Sequence, residues 1–164
     1  MSRLRHLIGV PPIHPLPFAA AKLAIVASWA FGFFGLAAGW PFGLREIAGA
    51  VLLAAGIALV LVATVDLGAA LRMGLPAEKT ELETGGLYRF SRNPIYVGVD
   101  LSVIGSAIIA PSVWNLIAAV TAIVIHHFII LSEERFLGTR FGAAWEHYRT
   151  AVPRYLGPGT RIKS

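Results

Sequence analysis

The chain has 164 residues, of which 56% are hydrophobic and 14% are charged, and it contains no cysteine. Soluble domains carry about 25% charged residues, so this composition indicates an integral membrane protein, and the missing cysteines exclude disulfides, thiolate metal sites and a cysteine nucleophile. The net charge of +5 does not indicate nucleic-acid binding, because the basic residues flank apolar runs instead of lining one polar face.

The first 65 residues predict a basic arm followed by two membrane-spanning helices. Two arginines and four prolines lie within residues 1–17, which indicates a partly extended arm at a membrane surface. Residues 23–40 and 47–65 are free of formal charge, and crossing the hydrocarbon core takes about 20 such residues. The Trp40-Pro41-Phe42-Gly43 segment between them predicts a tight turn with an interfacial aromatic residue.

Residues 101–131 form an uncharged run that is too long for one span and predicts a helical hairpin. Pro111 disfavours a continuing helix and Ser112 is suited to cap the next one. The arms are residues 95–110 and 112–131. The first arm is short enough to be either a span or a re-entrant helix, and four membrane helices is the better count. We divide the chain into an N-terminal part, residues 1–68, and a core, residues 69–164.

The basic residues also predict the orientation of the chain. If both termini are cytosolic, 13 of the 14 Lys and Arg residues lie on the cytosolic side and Arg45 alone lies outside. Two stretches, residues 85–98 and 132–154, then carry most of the polar groups on that side.

The first stretch reads Gly-Gly-Leu-Tyr-Arg-Phe-Ser-Arg-Asn-Pro-Ile-Tyr-Val-Gly. Asn93 is a plausible N-cap for a helix with Pro94 in its first turn. Free backbone N–H groups at such an end favour an anion. A simple juxtamembrane anchor, with Arg on lipid phosphates and Tyr at the interface, explains the composition equally well.

The second stretch begins with the adjacent carboxylates Glu133 and Glu134, followed by apolar residues at helical spacing. Neighbours on a helix differ by about 100°, so at most one carboxylate can face a given site. The alternative is a solvated helix end with Arg135 and Arg140 as neighbours. We expect residues 132–151 to form an amphipathic helix across the cytosolic face. We read Asp66 and Asp100, at or near helix ends, as interfacial caps or helix-to-helix hydrogen bonds before any functional role.

The motif G-L-Y-R-F-S-R-N-P-I-Y-V-G, an apolar hairpin and then E-E-R-F-L-G-T-R-F-G-A-A-W-E-H-Y-R-T-A-V-P-R-Y resemble the isoprenylcysteine carboxyl methyltransferase family, which belongs with the membrane phospholipid methyltransferases. That family's pattern is G-x-Y, R-H-P-x-Y-x-G before the hairpin, and E-E followed by F-G, Tyr and V-P. The resemblance covers about residues 79–155, roughly half of the chain.

The resemblance implies an all-α membrane methyltransferase that binds S-adenosylmethionine in a cytosolic pocket. A carboxylate suits the cofactor's ammonium, Asn93 and nearby N–H groups suit its carboxylate, and aromatic faces suit its sulfonium. The cofactor-binding residues implied by the match are Thr80, Glu81, Leu82, Glu83, Tyr88, Asn93, Pro94, Ile95, Tyr96 and Glu133. The partners implied are the bilayer and a lipophilic substrate, with no nucleic acid.

The sequence departs from the family at two positions. Asn93 stands where the family usually has His, and it keeps a hydrogen-bond donor. No Arg precedes the acidic pair, where the isoprenylcysteine enzymes use one toward the substrate carboxyl. This departure counts against a prenylcysteine carboxyl acceptor and leaves an amine, thiol, hydroxyl or other lipophilic acceptor open. His126 or His127 is a candidate base for such an acceptor, although adjacent histidines on a helix are more often one packed and one interfacial residue.

Two other functions compete with methyl transfer. Membrane sterol reductases, which use NADPH, resemble this chain in their C-terminal part, but they are much longer and their Tyr directly follows Asn. A non-enzymatic membrane scaffold with a basic surface helix is the third possibility.

Overall fold

A computed structural model of the chain describes residues 15–39, 41–68 and 82–157. These ranges are helical and contain no strand, which confirms the predicted all-α fold. The helices are α1 (Pro15–Ala38), α2 (Leu44–Leu67), a 3₁₀ helix (Gly86–Arg89), α3 (Pro94–Ile109), α4 (Val113–Phe141) and α5 (Ala143–Ala151). Most of the predicted arm lies outside the described residues, but its end is helical: α1 begins at Pro15, since proline is tolerated in a first turn.

The exterior of the bundle confirms an integral membrane protein. In the described part of the chain, α1, α2 and α4 are long and apolar enough to cross a bilayer. They expose large apolar side chains that water would not tolerate in such density, including Phe34 at 75% and Val65 at 77%. Helix α3 has 16 residues and is about 24 Å long, shorter than the roughly 30 Å core, so the count of four spans stays a prediction.

Helices α2 and α3 pack through glycines at matched depths. A Cβ on Gly56 would lie 2.5 Å from the carbonyl oxygen of Gly98, and one on Gly105 would lie 2.7 Å from that of Gly49. Each helix repeats its glycine after seven residues, which keeps the small residues on the facing side. The two backbones therefore touch, as small-residue contacts allow inside membranes.

Helix α1 is tied to the hairpin by an apolar cluster and by buried polar groups. Ile25 packs with Val103, Ala119 and Ala122. The Ser28 hydroxyl donates to Asn115 Oδ1 across 2.8 Å, and the Asn115 amide donates to backbone oxygens near the end of α3. Among the described residues no buried polar side-chain atom lacks a partner, as a hydrocarbon environment demands.

The hairpin turn follows the prediction closely. Helix α3 ends at Ile109, before Pro111, and the Ser112 side chain accepts a hydrogen bond from the Asn115 backbone N–H across 3.2 Å. The serine thus caps α4 in the predicted manner.

The predicted helix over residues 132–151 is wrong in its boundaries. Helix α4 continues without a break to Phe141, and the chain turns at Gly142, whose φ of +51° favours glycine. The nine-residue α5 then buries Trp145 and Tyr148 against Leu82, Leu137 and neighbouring residues. The apolar face of α5 is covered by the chain itself, so it is not available to lie on a membrane.

Candidate functional site

The two polar stretches meet at one end of the bundle. Helix α3 begins there, the extension of α4 beyond residue 131 runs past it, and α5 with residues 152–155 closes it from the other side. The two polar stretches meet because the antiparallel arms of the hairpin return the chain to the end of the bundle at which the hairpin began.

The adjacent carboxylates point in different directions, as the helical angle requires. Glu133 accepts a 2.8 Å hydrogen bond from the hydroxyl of Tyr96. It forms no ion pair with any described residue. Glu134 instead faces two guanidinium groups. The predicted neighbours Arg135 and Arg140 are not its partners, so the solvated-end interpretation is wrong for Glu134.

Glu134 is the centre of a clamp that joins three parts of the chain. Arg92 reaches its Oε1 through Nε and Nη2 at 3.2 and 3.0 Å, and Arg154 reaches its Oε2 through Nε and Nη2 at 3.0 and 2.8 Å. Paired N–H donors on one carboxylate give both strength and fixed geometry. The pKa of Arg154 is raised, chiefly by its hydrogen bonds to Glu134.

Arg92 also holds the segment that follows α5. The Arg92 backbone N–H donates to Pro153 across 2.9 Å, and its Nη1 donates to the carbonyls of Arg149 and Val152. Its guanidinium lies 5.6 Å from the Trp145 ring centroid, within cation–π range. The C-terminal segment is therefore a fixed wall of the site.

Asn93 occupies the predicted N-cap position before Pro94, but its side chain does not cap α3. Its Nδ2 donates to the Arg154 carbonyl at 3.0 Å and to Glu134 Oε1 at 3.4 Å. Both hydrogens of the amide are thus used within the protein. A direct bond from this amide to a ligand carboxylate requires that one of these bonds be exchanged.

Acidic groups surround the buried Tyr88. Burial raises the pKa of its hydroxyl, and the carboxylates of Glu133, Asp66 and Glu83 raise it further, so the hydroxyl stays neutral. Asp66 accepts from the Leu87 N–H at 2.8 Å and Glu83 accepts from the Gly85 N–H at 2.7 Å. The carboxylates thus occupy the 3₁₀ helix N-terminus, and their field favours a cation over an anion here.

One turn deeper in the bundle, α3 and α4 are joined by a second polar pair. His126 Nδ1 lies 2.8 Å from Asp100 Oδ1, and the histidine is 1% exposed. The rings of Tyr96 and His126 meet edge to face at 5.1 Å, which connects this pair to the Tyr96–Glu133 bond. Asp100 thus makes the helix-to-helix contact expected of it.

His127 points toward the C-terminal wall. Its Nδ1 lies 2.6 Å from the Tyr155 hydroxyl, and the two rings stack at 6.2 Å. The adjacent histidines therefore differ as expected, with His126 packed and His127 half-buried.

The structure brings together Tyr88, Asn93, Pro94, Tyr96 and Glu133 from the predicted set. Leu82 instead packs with the α5 cluster, and Ile95 is half-buried in the first turn of α3. Thr80 and Glu81 lie outside the described residues. Arg92, Arg154 and Tyr155 also line the site but are absent from the predicted set. Arg92 belongs to the R-N-P motif, and Arg154 and Tyr155 belong to the V-P-R-Y motif, so the sequence did carry a signal for them.

The residues at this end fit S-adenosylmethionine in their chemistry. The cofactor carries a sulfonium and an ammonium, and the end offers the unpaired Glu133 carboxylate, two tyrosine rings and the carboxylates around Tyr88. Carboxylates and aromatic faces are the groups that bind such cations. The poorest match is to the cofactor carboxylate, because the Asn93 amide is already engaged.

Comparison with known proteins identifies the family of the chain. The sequence profile of a family described as phospholipid methyltransferase matches residues 44–144, which includes α2, the connection, the hairpin and the acidic pair. No curated protein and no solved structure matches the chain significantly. The matched segment covers more than half of the sequence and supports the resemblance drawn from the motifs. The chain belongs to the phospholipid methyltransferase family.

Proposed function

We propose that the protein transfers a methyl group from S-adenosylmethionine to a lipophilic acceptor that enters from the bilayer. The observation that carries this proposal is the contrast within the acidic pair. Glu134 is neutralised by two arginines, whereas Glu133 accepts from a tyrosine hydroxyl and forms no ion pair with a described residue, and the charge of Lys22 acts on it without direct contact. A partly buried carboxylate without a counter-ion suits a cationic ligand.

Each cofactor group then has a partner in the chain. Glu133 takes the methionyl ammonium, with the Tyr96 hydroxyl holding its other side. The rings of Tyr88 and Tyr96 would face the sulfonium, and residues 80–83, as the family resemblance implies, would contact the adenosyl part. Asn93 and Pro94 shape the entry to α3, and Asn93 reaches the cofactor carboxylate after exchanging one of its present bonds.

The bound cofactor supplies an electrophilic methyl group on a cationic sulfur. The chain's own residues act by holding that group in line with the acceptor and by excluding water. The Glu134 clamp keeps α4 from rotating, so Glu133 stays directed at Tyr96. His126 and His127 are the candidate bases for an acceptor that must lose a proton.

The site faces the cytosol in this account. The clamp and the connection carry the arginines of residues 89–92 and 149–154, on the side that the distribution of basic residues marks as cytosolic. Acceptor classes compatible with the site are a phospholipid amine, a prenylcysteine carboxyl or another small hydrophobic molecule.

The test is methyl transfer to lipid by purified protein. Protein in nanodiscs is incubated with radiolabelled methyl donor and a lipid extract from the source cells, and the labelled lipid is identified. We expect a labelled, organic-soluble product that Glu133→Gln protein makes poorly and Ala54→Leu protein, changed on the exposed face of α2, makes normally. Absence of any labelled lipid with protein that remains folded would refute the proposal.

A further inference from the structure

We propose that Asp100 and His126 form a proton-accepting pair, in which His126 deprotonates the methyl acceptor and Asp100 positions it. The inference rests on the proposed methyl transfer and narrows it to acceptors that carry a proton on the nucleophile, namely an amine, a thiol or a hydroxyl. A carboxylate acceptor needs no such base.

The pair lies on the bilayer side of the proposed cofactor groups. Asp100 follows Tyr96 by one turn of α3, and His126 precedes Glu133 by two turns of α4, which places the pair about 6–10 Å deeper along the helices. The Tyr96 ring, at 5.1 Å from the His126 ring, separates it from Glu133. The pair therefore lies between the bilayer and the proposed cofactor groups, and Asp100 is its more accessible member, with a side chain 18% exposed against 1% for His126.

A hydrogen bond that only holds two helices together does not need ionisable groups. The same bundle joins α1 to α3 and α4 with neutral pairs, in which Trp29 donates to Ser102 and Ser28 donates to Asn115. An acid and an imidazole within a membrane domain cost more than a hydroxyl or amide pair, and such residues mark function. The chain uses the costly pair only beside the proposed site, within the residues that the structure describes.

The 2.8 Å contact with Asp100 is compatible with the tautomer that a base requires. When the Asp100 carboxylate accepts from Nδ1–H of His126, the Nε2 lone pair is left to take a proton. Among the described residues, Tyr96 on α3 and Tyr155 after α5 interact electrostatically with Asp100. Glu133 on α4 interacts with His126 and with Lys22 on α1. His127 is less suited, because its Nδ1 partner is a hydroxyl, which can donate to it, and not a carboxylate.

The step balances without another reactant. For a thiol or hydroxyl acceptor, Nε2 of His126 takes the S–H or O–H proton, and the freed electron pair forms the bond to the methyl carbon. For an amine acceptor, the nitrogen lone pair forms that bond, and Nε2 takes a proton from the resulting ammonium. The carbon–sulfur bond breaks with its electrons on sulfur, which becomes a neutral thioether. The proton on His126 leaves to water after the product departs.

The product's stability to base tests the acceptor class without knowing the acceptor. Lipid labelled by the wild-type protein is treated with mild alkali, which releases methyl esters as volatile methanol and leaves N-, S- and O-ether methyl groups in place. We expect the label to stay in the non-volatile product, even where the alkali also removes ester-linked acyl chains. Release of the label as methanol would identify a carboxylate acceptor and overturn the inference while leaving methyl transfer itself established.

Variants test the two roles. We expect His126→Ala to lower the transfer rate by about 100-fold or more, and added imidazole to restore part of it. Asp100→Asn should lower the rate less, by roughly 10-fold, and Asp100→Glu should retain more activity than Asp100→Asn. Trp29→Phe, which removes a neutral tie elsewhere in the bundle, is the matched control and should transfer at the wild-type rate.

Two readouts do not depend on activity. Nitrogen-15 histidine spectra of the full-length protein in nanodiscs should show Nδ1–H on His126 in the wild type, and a changed tautomer balance in Asp100→Asn. His126→Ala and Asp100→Asn should both still bind S-adenosylhomocysteine, as measured by calorimetry. Binding lost together with activity, or rates that neither variant nor imidazole changes, would show that the pair is only structural. If the wild-type protein neither binds S-adenosylhomocysteine nor transfers a methyl group, the proposed function is refuted, and this inference is refuted with it.

Discussion

The Tyr96 hydroxyl donates a 2.8 Å hydrogen bond to Glu133, a residue 37 positions later in the chain. This bond joins the N-P-x-Y motif at the start of α3 to the acidic pair in the C-terminal third of α4. A hairpin through the membrane domain separates the two motifs in sequence and reunites them in space. The two polar stretches are consequently two walls of one site.

The adjacent glutamates should respond differently to neutralisation. Glu134→Gln leaves Arg92 and Arg154 without their shared carboxylate, and we expect a loss of about 2 kcal/mol in the free energy of unfolding, below the range for fully buried pairs because Arg154 is partly exposed. Compared with Glu134→Gln, Glu133→Gln should lower the free energy of unfolding less and should weaken ligand binding more. Thermal unfolding in detergent, with and without S-adenosylhomocysteine, measures both, and equal effects of the two variants would contradict the assignment.

The glycine contact between α2 and α3 should be intolerant of even one methyl group. A Cβ on Gly98 would lie 2.7 Å from the Gly56 carbonyl oxygen, so Gly98→Ala must push the helices apart. We expect a loss of about 1–3 kcal/mol, the usual cost of overpacking. The larger change Ala54→Leu, on the exposed face of α2, should leave the unfolding midpoint unchanged. A stable Gly98→Ala protein would show that the backbones are not in contact.

Alkaline pH should weaken the docking of α5. Burial raises the pKa of the Tyr148 hydroxyl, which donates to the Tyr88 carbonyl across 2.8 Å. Above about pH 10 the unfolded chain ionises this tyrosine while the folded chain does not, so the free energy of unfolding falls as pH rises. Tyr148→Phe should be less stable at neutral pH by about 1 kcal/mol. It should also lose stability less steeply between pH 10 and 12, and an unchanged slope would contradict the burial argument.

Single cysteines can test the proposed orientation, because the chain has none of its own. Leu44 begins α2 beside Arg45 and is 82% exposed, and Leu156 follows α5 and is 64% exposed. In intact cells an impermeant maleimide should label Leu44→Cys at once and Leu156→Cys only after permeabilisation. The reverse pattern would place the clamp and the site outside the cytosol.

The sequence predicted the helices better than it predicted where each helix ends and which helices contact each other. Apolar runs, Pro111 and Ser112 marked the hairpin because local chemistry alone determines such boundaries. The end of α4 was missed because Glu133–Arg135 resembles a helix exit from the membrane, whereas the backbone turns only at Gly142. That extension depends on the Glu134 clamp, whose partners Arg92 and Arg154 are 42 and 20 residues away in sequence and invisible to local patterns.

Local sequence patterns also could not predict in which direction individual side chains point. Asn93 is predicted to face a ligand, yet its amide binds the Glu134 carboxylate and the Arg154 carbonyl. Helical geometry did establish that only one of the two glutamates faces the site. Which one faces it follows from where the arginines lie, and that is a property of the folded chain.

Calorimetric titration of purified wild-type and Glu133→Gln protein with S-adenosylmethionine tests the central claim most directly. We expect the wild type to bind the cofactor and its demethylated product, Glu133→Gln to bind roughly 10- to 100-fold more weakly through loss of a charge-assisted bond, and NADPH to leave binding unchanged. Folded wild-type protein that binds NADPH instead, or that binds S-adenosylmethionine no better than the variant, would contradict the assignment of Glu133 and its site.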